Sequence, residues 1–594
     1  MRKAGTDHAG RKTGNGSPIT RPGNDSMLLI AAALLVATAV TAQGPIDSAA
    51  RASDDSLRTL KQARRAQLDF EHRRLSLLPI VASAGGRCDV RVGRFCYWQD
   101  EADAAPEEPA AIAELRAKLL VRLGTLAARS PGDRWIAGQR IRYLAESRRG
   151  DEAVAVVREC RAEPAWCTSL AVVAYRASGN MTRADSAVSA ALSAMTPEQR
   201  CDALDIEPLV EGTFRDRYHA ATCAGRDSLV ARWIWLARAS YADSANEVRV
   251  EIFSRRLFAQ LASESTSPYG PISGRDLRDL ILRYGWSESW GRTAPASGLF
   301  DQGAAVGFDG PRTFALAPAD NALDDIAAIS DHNRLRDDRT ARARFPIRGT
   351  RTLGGMAHAL ALFRRGDSTL AIAAYDAGAD TAMDGVDSAR ASFSLLRDER
   401  TPAVTVSAQR RSRGIITAMA PWRPSLVAVE LRDSVSQRAA RARIGVPVAD
   451  TANGRVTLSD LLLFAADTAL ATTLDSVMAN AIVDGRVASG SRLGIFWEMY
   501  GLEPGDHVTA SVGLVPDEAG FFRRAAERAH LAEPRAPVHL SWQDTPEVHG
   551  SVGGRVLVVA LDGVAEGNYT VALTLTVPGQ PTRRAASRVQ IVSR

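Results

Sequence analysis

Six cysteines are the residues best placed for defined chemistry: Cys88, Cys96, Cys160, Cys167, Cys201 and Cys223. They form no CxxC pair and no zinc-ligand spacing. An even set of this kind reads as a disulfide framework, and local pairing 88–96, 160–167 and 201–223 is the simplest connectivity. The alternative is a set of buried free thiols. The nine histidines make no HExxH or HxH cluster. Asp331-His332 has the types for an acid–base pair, but no GxSxG turn supplies a nucleophile. Asp376, Asp380, Asp384 and Asp387 could ring a calcium ion, yet alternating ligands and a closing Glu are missing, so an acidic loop is expected. Trp286 and Trp290, near Tyr284, suit either an aromatic platform for peptide or glycan or a packed core. Lysine occurs only at 3, 12, 61 and 118, none in a glycine-rich context, which removes phosphate-loop, kinase and Schiff-base chemistry. No catalytic, cofactor-binding or metal residue is therefore assigned, and no cofactor is expected.

The cysteine reading requires an oxidising compartment. Residues 27–42, MLLIAAALLVATAVTA, follow a basic leader and end in Val40-Thr41-Ala42, the layout of a secretory signal cleaved after Ala42. As a helix the run reaches roughly 24 Å, short of the roughly 30 Å bilayer core. Periplasmic or secreted placement is expected, the alternative being an inner-membrane anchor formed by residues 27–42. Both Met1 and Met27 are candidate starts. The leader holds Arg2, Lys3, Arg11, Lys12 and Arg21 against Asp7 and Asp25, so it carries three of the net +6 charges. The remainder is too weakly basic for a nucleic-acid binder.

The elements that would position these residues change character along the chain. Residues 1–42 are leader and signal. Residues 43–109 read as a helical and loop segment holding Cys88 and Cys96. Residues 110–290 show helical periodicity, with stripes such as Ile112, Leu115, Leu119, Leu123 and Leu126, and Ala184, Ala187, Val188 and Ala191. Two units echo each other: Pro131, Trp135, Tyr143, Gly150 and Ala153 match Pro164, Trp166, Tyr175, Gly179 and Ala184. This resembles a degenerate tetratricopeptide array, the alternative being an irregular bundle. Residues 291–350 lose periodicity and read as a linker or loop-rich insertion. Residues 351–439 read as a small β domain with a hairpin turning at Arg365-Gly366-Asp367. A helical interlude is expected at 466–481. Residues 440–594 read as an antiparallel β-sandwich, with strands over 508–514 and 570–577. Gly567-Asn568-Tyr569 resembles the corner tyrosine of immunoglobulin-like sandwiches. The expected fold class is multidomain α plus β, with the helical region preceding the β-sandwich domains.

Tyr284-Gly285-Trp286, Leu458-Ser459-Asp460-Leu461-Leu462 and Trp497-Glu498-Met499-Tyr500-Gly501-Leu502 together resemble the uncharacterised GWxTD-domain proteins of bacterial envelopes. The resemblance singles out Gly285, Trp286, Ser459, Asp460, Glu498 and Tyr500. Glu288 and Ser289 stand where that signature has Thr and Asp. The resemblance implies a helical segment followed by β-sandwiches and brings no reaction with it. The functional expectation is an exported, non-enzymatic scaffold for an envelope protein partner, touching membrane only if the signal is retained. The alternatives are carbohydrate or surface-polymer binding through the sandwich, and a hydrolase assembled across domains.

Overall fold

A computed structural model of the chain describes residues 45–81, 90–92, 95–97, 106–269, 275–294, 305–308, 320–329, 352–376, 389–408, 413–421, 425–433, 435–446, 455–466, 472–517, 537–549 and 552–593, together with 318, 378, 383–386 and 423. The signal segment 27–42, Cys88, Asp331-His332, Asp380 and Asp387 lie outside the described residues. The chain divides into a short unit, residues 1–54, helical where described, and a body, residues 55–594.

The helical region runs through α1 (Pro45–Leu77), a hairpin of β1 (Val90–Val92) and β2 (Phe95–Tyr97), then α2 (Ala110–Arg129), α3 (Arg134–Glu146), α4 (Gly150–Arg158), α5 (Pro164–Ala177), α6 (Met181–Ser193), α7 (Pro197–Ala203), α8 (Gly212–Ala220), α9 (Cys223–Ala237), α10 (Glu247–Ser263) and α11 (Arg275–Tyr284). Local chemistry starts several of these helices. Asp133, Asn180 and Asn246 accept from backbone N–H groups three residues on, and Thr196 with Gln199 closes a capping box. Helices α2 and α6 then each bury one apolar stripe, whereas α5 and α10 are buried on several faces. Ile112, Leu119, Leu123 and Leu126 of α2, and Ala184, Val188 and Ala191 of α6, are buried as their spacing requires.

The two echoing units are helical hairpins, α3–α4 and α5–α6, but the register differs from the one the sequence suggests. Arg149 N–H donates to Leu144 O at 2.9 Å, and Asn180 N–H donates to Tyr175 O at 2.9 Å. The left-handed residue in these matched turns is Arg148 (φ 57°) in the first and Gly179 (φ 78°) in the second. Gly179 therefore corresponds to Arg148, not to Gly150. Gly150 has a packing role instead, because a Cβ there would meet the Ala177 carbonyl carbon at 2.4 Å.

Two disulfides brace this region. Cys160–Cys167 joins the end of α4 to the first turn of α5, and Cys201–Cys223 joins α7 to α9. Their presence calls for a non-reducing compartment. No helix among the described residues is long and apolar enough to cross a membrane.

Part of the segment expected to be a linker is structured. Strand β3 (Ser289–Arg292) pairs with β4 (Ala305–Phe308), and α12 (Asp320–Asp324) precedes a 3-10 turn at Ile326–Ala328. Ala322, Leu323, Ile326 and Ile329 are buried against neighbouring helices and strands, which fixes this stretch without any periodic pattern.

Four sheets follow. The first has order β5-β12-β11-β8-β9, from β5 (Thr352–Gly354), β8 (Arg390–Leu396), β9 (Val404–Ala408), β11 (Ser425–Asp433) and β12 (Arg438–Val446). The second has order β10-β7-β6, from β6 (Ala357–Arg365), β7 (Ser368–Asp376) and β10 (Arg413–Pro421). The third gathers β13 (Thr457–Leu458), β14 (Leu462–Ala465), β16 (Arg492–Tyr500) and β19 (Val552–Ala560), with α13 (Leu474–Met478) beside it. The fourth has order β15-β21-β20-β17-β18, from β15 (Arg486–Ala488), β17 (Val508–Pro516), β18 (Val538–Asp544), β20 (Gly567–Thr576) and β21 (Arg583–Val592). Pairing is antiparallel except at β5–β12 and β15–β21. Strand β12 crosses the expected boundary at 439/440, so the first β unit extends to Val446. Among the described residues the helical interlude is the five-residue α13.

Alternation along the strands stacks the body as helices and then four sheets. In β11, Leu426 and Ala428 face the helices, while Val427, Val429 and Leu431 face the second sheet. In the second sheet, Ala371, Ala373 and Tyr375 face back, and Phe363, Ile372 and Ala374 face Leu462, Phe464 and Phe496 of the third. Ile495, Trp497 and Met499 then face Val512, Tyr569, Val571 and Leu573 of the fourth. Being covered on both faces, β16 is buried over eight consecutive residues. Each large apolar side chain so enclosed contributes roughly 1.5–3 kcal/mol. The Tyr569 hydroxyl donates to Ala565 O at 2.7 Å, the corner-tyrosine geometry expected from the sequence.

Candidate functional site

Four of the six family-like residues meet where the third sheet packs on the second. Glu498, on β16, takes the Arg365 guanidinium at 2.6 and 3.0 Å, and the Tyr500 hydroxyl donates to the same carboxylate at 2.8 Å. Arg364 N–H donates to the Tyr500 oxygen at 2.8 Å. Ser459 Oγ accepts from Glu498 N–H at 2.9 Å and donates to Asp460 O at 2.7 Å. Asp460 accepts Leu362 N–H on its carboxylate at 3.0 Å, and its own N–H donates to Leu362 O at 3.2 Å. Burial, and then the adjacent Glu498 charge, push the Tyr500 phenol above its ordinary value. The cluster therefore holds a paired carboxylate, Glu498, a neutral phenol, and a second carboxyl, Asp460, that burial pushes up to about 6 despite the Leu362 N–H, and the arrangement ties two sandwiches together.

The other two residues lie elsewhere, in the helical region. Gly285 ends α11 in the left-handed region (φ 86°), and its N–H donates to Ile281 O at 2.8 Å. Trp286 is buried among Phe258, Tyr269 and Trp290, with ring centroids at 5.9, 6.4 and 5.2 Å, and the Arg142 guanidinium lies 4.9 Å from its ring. The tryptophan pair is thus mostly core, with one edge on a groove.

That groove encloses about 690 Å³. Its wall is one face of α10, with Glu247, Ser254, Arg255 and Phe258, opposed by Arg74 of α1, Glu146 of α3, Arg176 of α5, Trp286 after α11 and Trp290 of β3. Beneath it lies a buried polar network. Arg74 meets Glu146 at 3.1 Å, Arg142 meets Glu146 at 3.1 Å and Glu71 at 3.4 Å, and Tyr143 donates to Glu71 at 2.6 Å. Burial raises the Glu71 carboxyl despite Arg74 and Arg142, whereas at Glu146 the charges of Arg74, Arg142 and Arg116 outweigh burial and lower it. Further along, Arg176 and Arg255 share the single carboxylate of Glu251, at 2.7–2.9 Å.

At the far end of the groove, Arg432 of β11 reaches Glu247 at 2.8 Å and also pairs with Asp243. Burial, reinforced by the Glu251 charge, pushes the Glu247 carboxyl up to about 7 against the opposing charge of Arg238. Sequence reasoning passed over these residues. Their signal was charge at helical spacing inside apolar faces, as in Arg142/Glu146 and Glu251/Arg255, four apart.

Among the described residues no group of His, Cys, Asp or Glu is placed to hold a metal ion. Asp376 caps the turn at Gly378 N–H and lies 3.9 Å from Arg413. Of the six cysteines, four form the two disulfides, and the 88–96 pairing falls outside the described residues.

No family model and no curated protein matches the chain. Among solved structures it is similar to a red sea bream transglutaminase, at 8% identity and TM-score 0.13, over 40% of this chain and 32% of that one. It is also similar to E. coli alpha-2-macroglobulin in its native conformation, at 11% identity and TM-score 0.15, over 40% of this chain and 16% of that one. The chain spans about a third and a sixth of those neighbours' lengths, and likenesses this slight carry no argument about fold or function.

Proposed function

We propose that this chain is an exported envelope protein that acts as a non-enzymatic scaffold, engaging a protein partner through its helical region and using the stacked sheets as a rigid spacer. The observation that carries the proposal is the groove along α10, lined by arginines, glutamates and tryptophans and mounted on a body whose four sheets share continuous apolar cores. The signal-like segment 27–42 and the two disulfides support placement in the periplasm or outside the cell. The test is crosslinking in intact cells with the full chain tagged, followed by recovery of envelope proteins. Recovery above a tag-only control supports the proposal. Nothing above that background, or a cytoplasmic chain with reduced thiols, sinks it.

A further inference from the structure

One face of α1 is turned away from the core. Leu57, Lys61, Arg64, Arg65 and Leu68 recur at i, i+4, i+7, i+8 and i+11, which gathers them within an arc of about 100° on the helix. All five are exposed, Leu57 by 54% and Leu68 by 38%. The opposite face, with Thr59, Ala63, Gln67, Phe70 and Arg74, is buried in the helical region. At about 1.5 Å per residue the exposed stripe is roughly 16 Å long.

Its charge has one sign. No acidic residue occurs between 57 and 68, and Lys61, Arg64 and Arg65 form no ion pair among the described residues. Arg64 lies 5.7 Å over the Trp135 ring. Of the flanking acids, Asp55 is engaged with Arg58 at 3.2 Å.

Two exposed leucines among three cations narrow the choice of partner. A soluble polyanion takes up the cations and leaves Leu57 and Leu68 in water. A bilayer surface with anionic headgroups accommodates both, because leucines enter the headgroup–acyl boundary while long basic side chains stay at the level of the phosphates. Chain order favours the same partner. The apolar run 27–42 ends two residues before α1 begins at Pro45, so in an exported chain α1 is the first helix beyond that run.

We infer that the Leu57–Leu68 stripe of α1 lies along an anionic phospholipid surface, with Lys61, Arg64 and Arg65 on the headgroup phosphates and the two leucines in the interface. This contact is distinct from the groove and does not rest on the scaffold reading.

The test is sedimentation with lipid vesicles of the chain from Gln43 onward, the form left by cleavage after Ala42, so that the apolar run cannot insert by itself. The body, residues 55–594, is a compact unit apart from residues 1–54. Vesicles are made of phosphatidylcholine alone or with phosphatidylglycerol. Binding at least tenfold tighter to the anionic vesicles is expected, falling as salt rises. Lys61→Glu with Arg65→Glu should abolish that preference, and the milder Lys61→Gln with Arg65→Gln should weaken it at least fivefold. Leu57→Ser with Leu68→Ser should weaken vesicle binding at least threefold and leave binding to polyphosphate unchanged. Circular dichroism melts check that each variant folds. Equal sedimentation with both vesicles, or a preference that survives both the charge reversal and the glutamine pair, overturns the inference. Vesicle binding indifferent to the leucine substitutions also overturns it, and assigns the stripe to a soluble polyanion.

Discussion

Arg365 and Glu498 form a bidentate ion pair, at 2.6 and 3.0 Å, between the β6–β7 hairpin of one sandwich and the central strand of the next. Glu498 is buried whereas a third of the Arg365 side chain is exposed, so the carboxylate bears most of the desolvation. Together with the Phe363, Phe464 and Phe496 contacts, the pair fixes how the two sandwiches stack.

Breaking that tie should loosen the joint. Glu498→Ala leaves the Tyr500 hydroxyl and Arg365 without their shared acceptor, and should cost about 1–3 kcal/mol in urea denaturation. Tyr500→Phe removes the hydrogen bond to Glu498 and the acceptor of Arg364 N–H, and should also cost about 1–3 kcal/mol. A Glu498→Ala stability within 0.3 kcal/mol of the parent, roughly the usual surface-substitution range, would show that apolar packing alone holds the sandwiches together.

The disulfides should differ in worth because their loops differ in length. The two bridges have sequence separations of 7 and 22 residues. Loop-closure entropy gives about 2.5 kcal/mol for Cys160–Cys167 and about 3.4 kcal/mol for Cys201–Cys223. Paired serine variants should therefore melt in that order, with the 201/223 variant the less stable.

Glu247 should make stability depend on pH. Its folded carboxyl is raised from an ordinary value near 4.5 to about 7, so its contribution is fully present below pH 4.5 and is lost as pH rises through 7. The span is on the order of 3 kcal/mol. Glu247→Gln should flatten the stability profile between these limits and raise stability at pH 8 relative to the parent. An unchanged slope between pH 4.5 and 7 would contradict this assignment.

The matched helical turns allow an opposed pair of substitutions. Arg148→Gly relieves a left-handed backbone, and its surface contact with Glu288, 3.8 Å away, is worth little, so a gain of up to about 1 kcal/mol is expected. Gly150→Ala places a Cβ 2.4 Å from the Ala177 carbonyl carbon and should cost about 1–3 kcal/mol. Thermal melts of the two variants should move in opposite directions.

The fold was legible where a local rule acts alone. The hairpin at Arg365-Gly366-Asp367, the strand at 508–514 and the Tyr569 corner follow from turn chemistry and alternation, and all three are present. Legibility failed where a neighbour decides. Strand β12 continues through 440 because β11 pairs along its whole length. The stretch 322–329 is ordered by burial, and Arg148 takes the left-handed turn position that the echo between the two units gave to Gly150.

The candidate site divides the same way. Cys160 and Cys167, or Cys201 and Cys223, stand close enough in the chain for sequence to pair them, since short loops close at small entropic cost. Ser459, Asp460, Glu498 and Tyr500 are likewise read from sequence as motif residues, but only the stacking of two sheets brings Arg365 among them. The groove belongs wholly to tertiary structure. Arg74, Arg176 and Ser254 come from three helices far apart in the chain, and no spacing rule links residues whose contact depends on how helices pack. The amino-acid order by itself determined many of the helices and strands and the pairing of Cys160 with Cys167 and of Cys201 with Cys223, because those are short-range decisions. What the helices enclose, and which charges meet there, was decided by long-range packing.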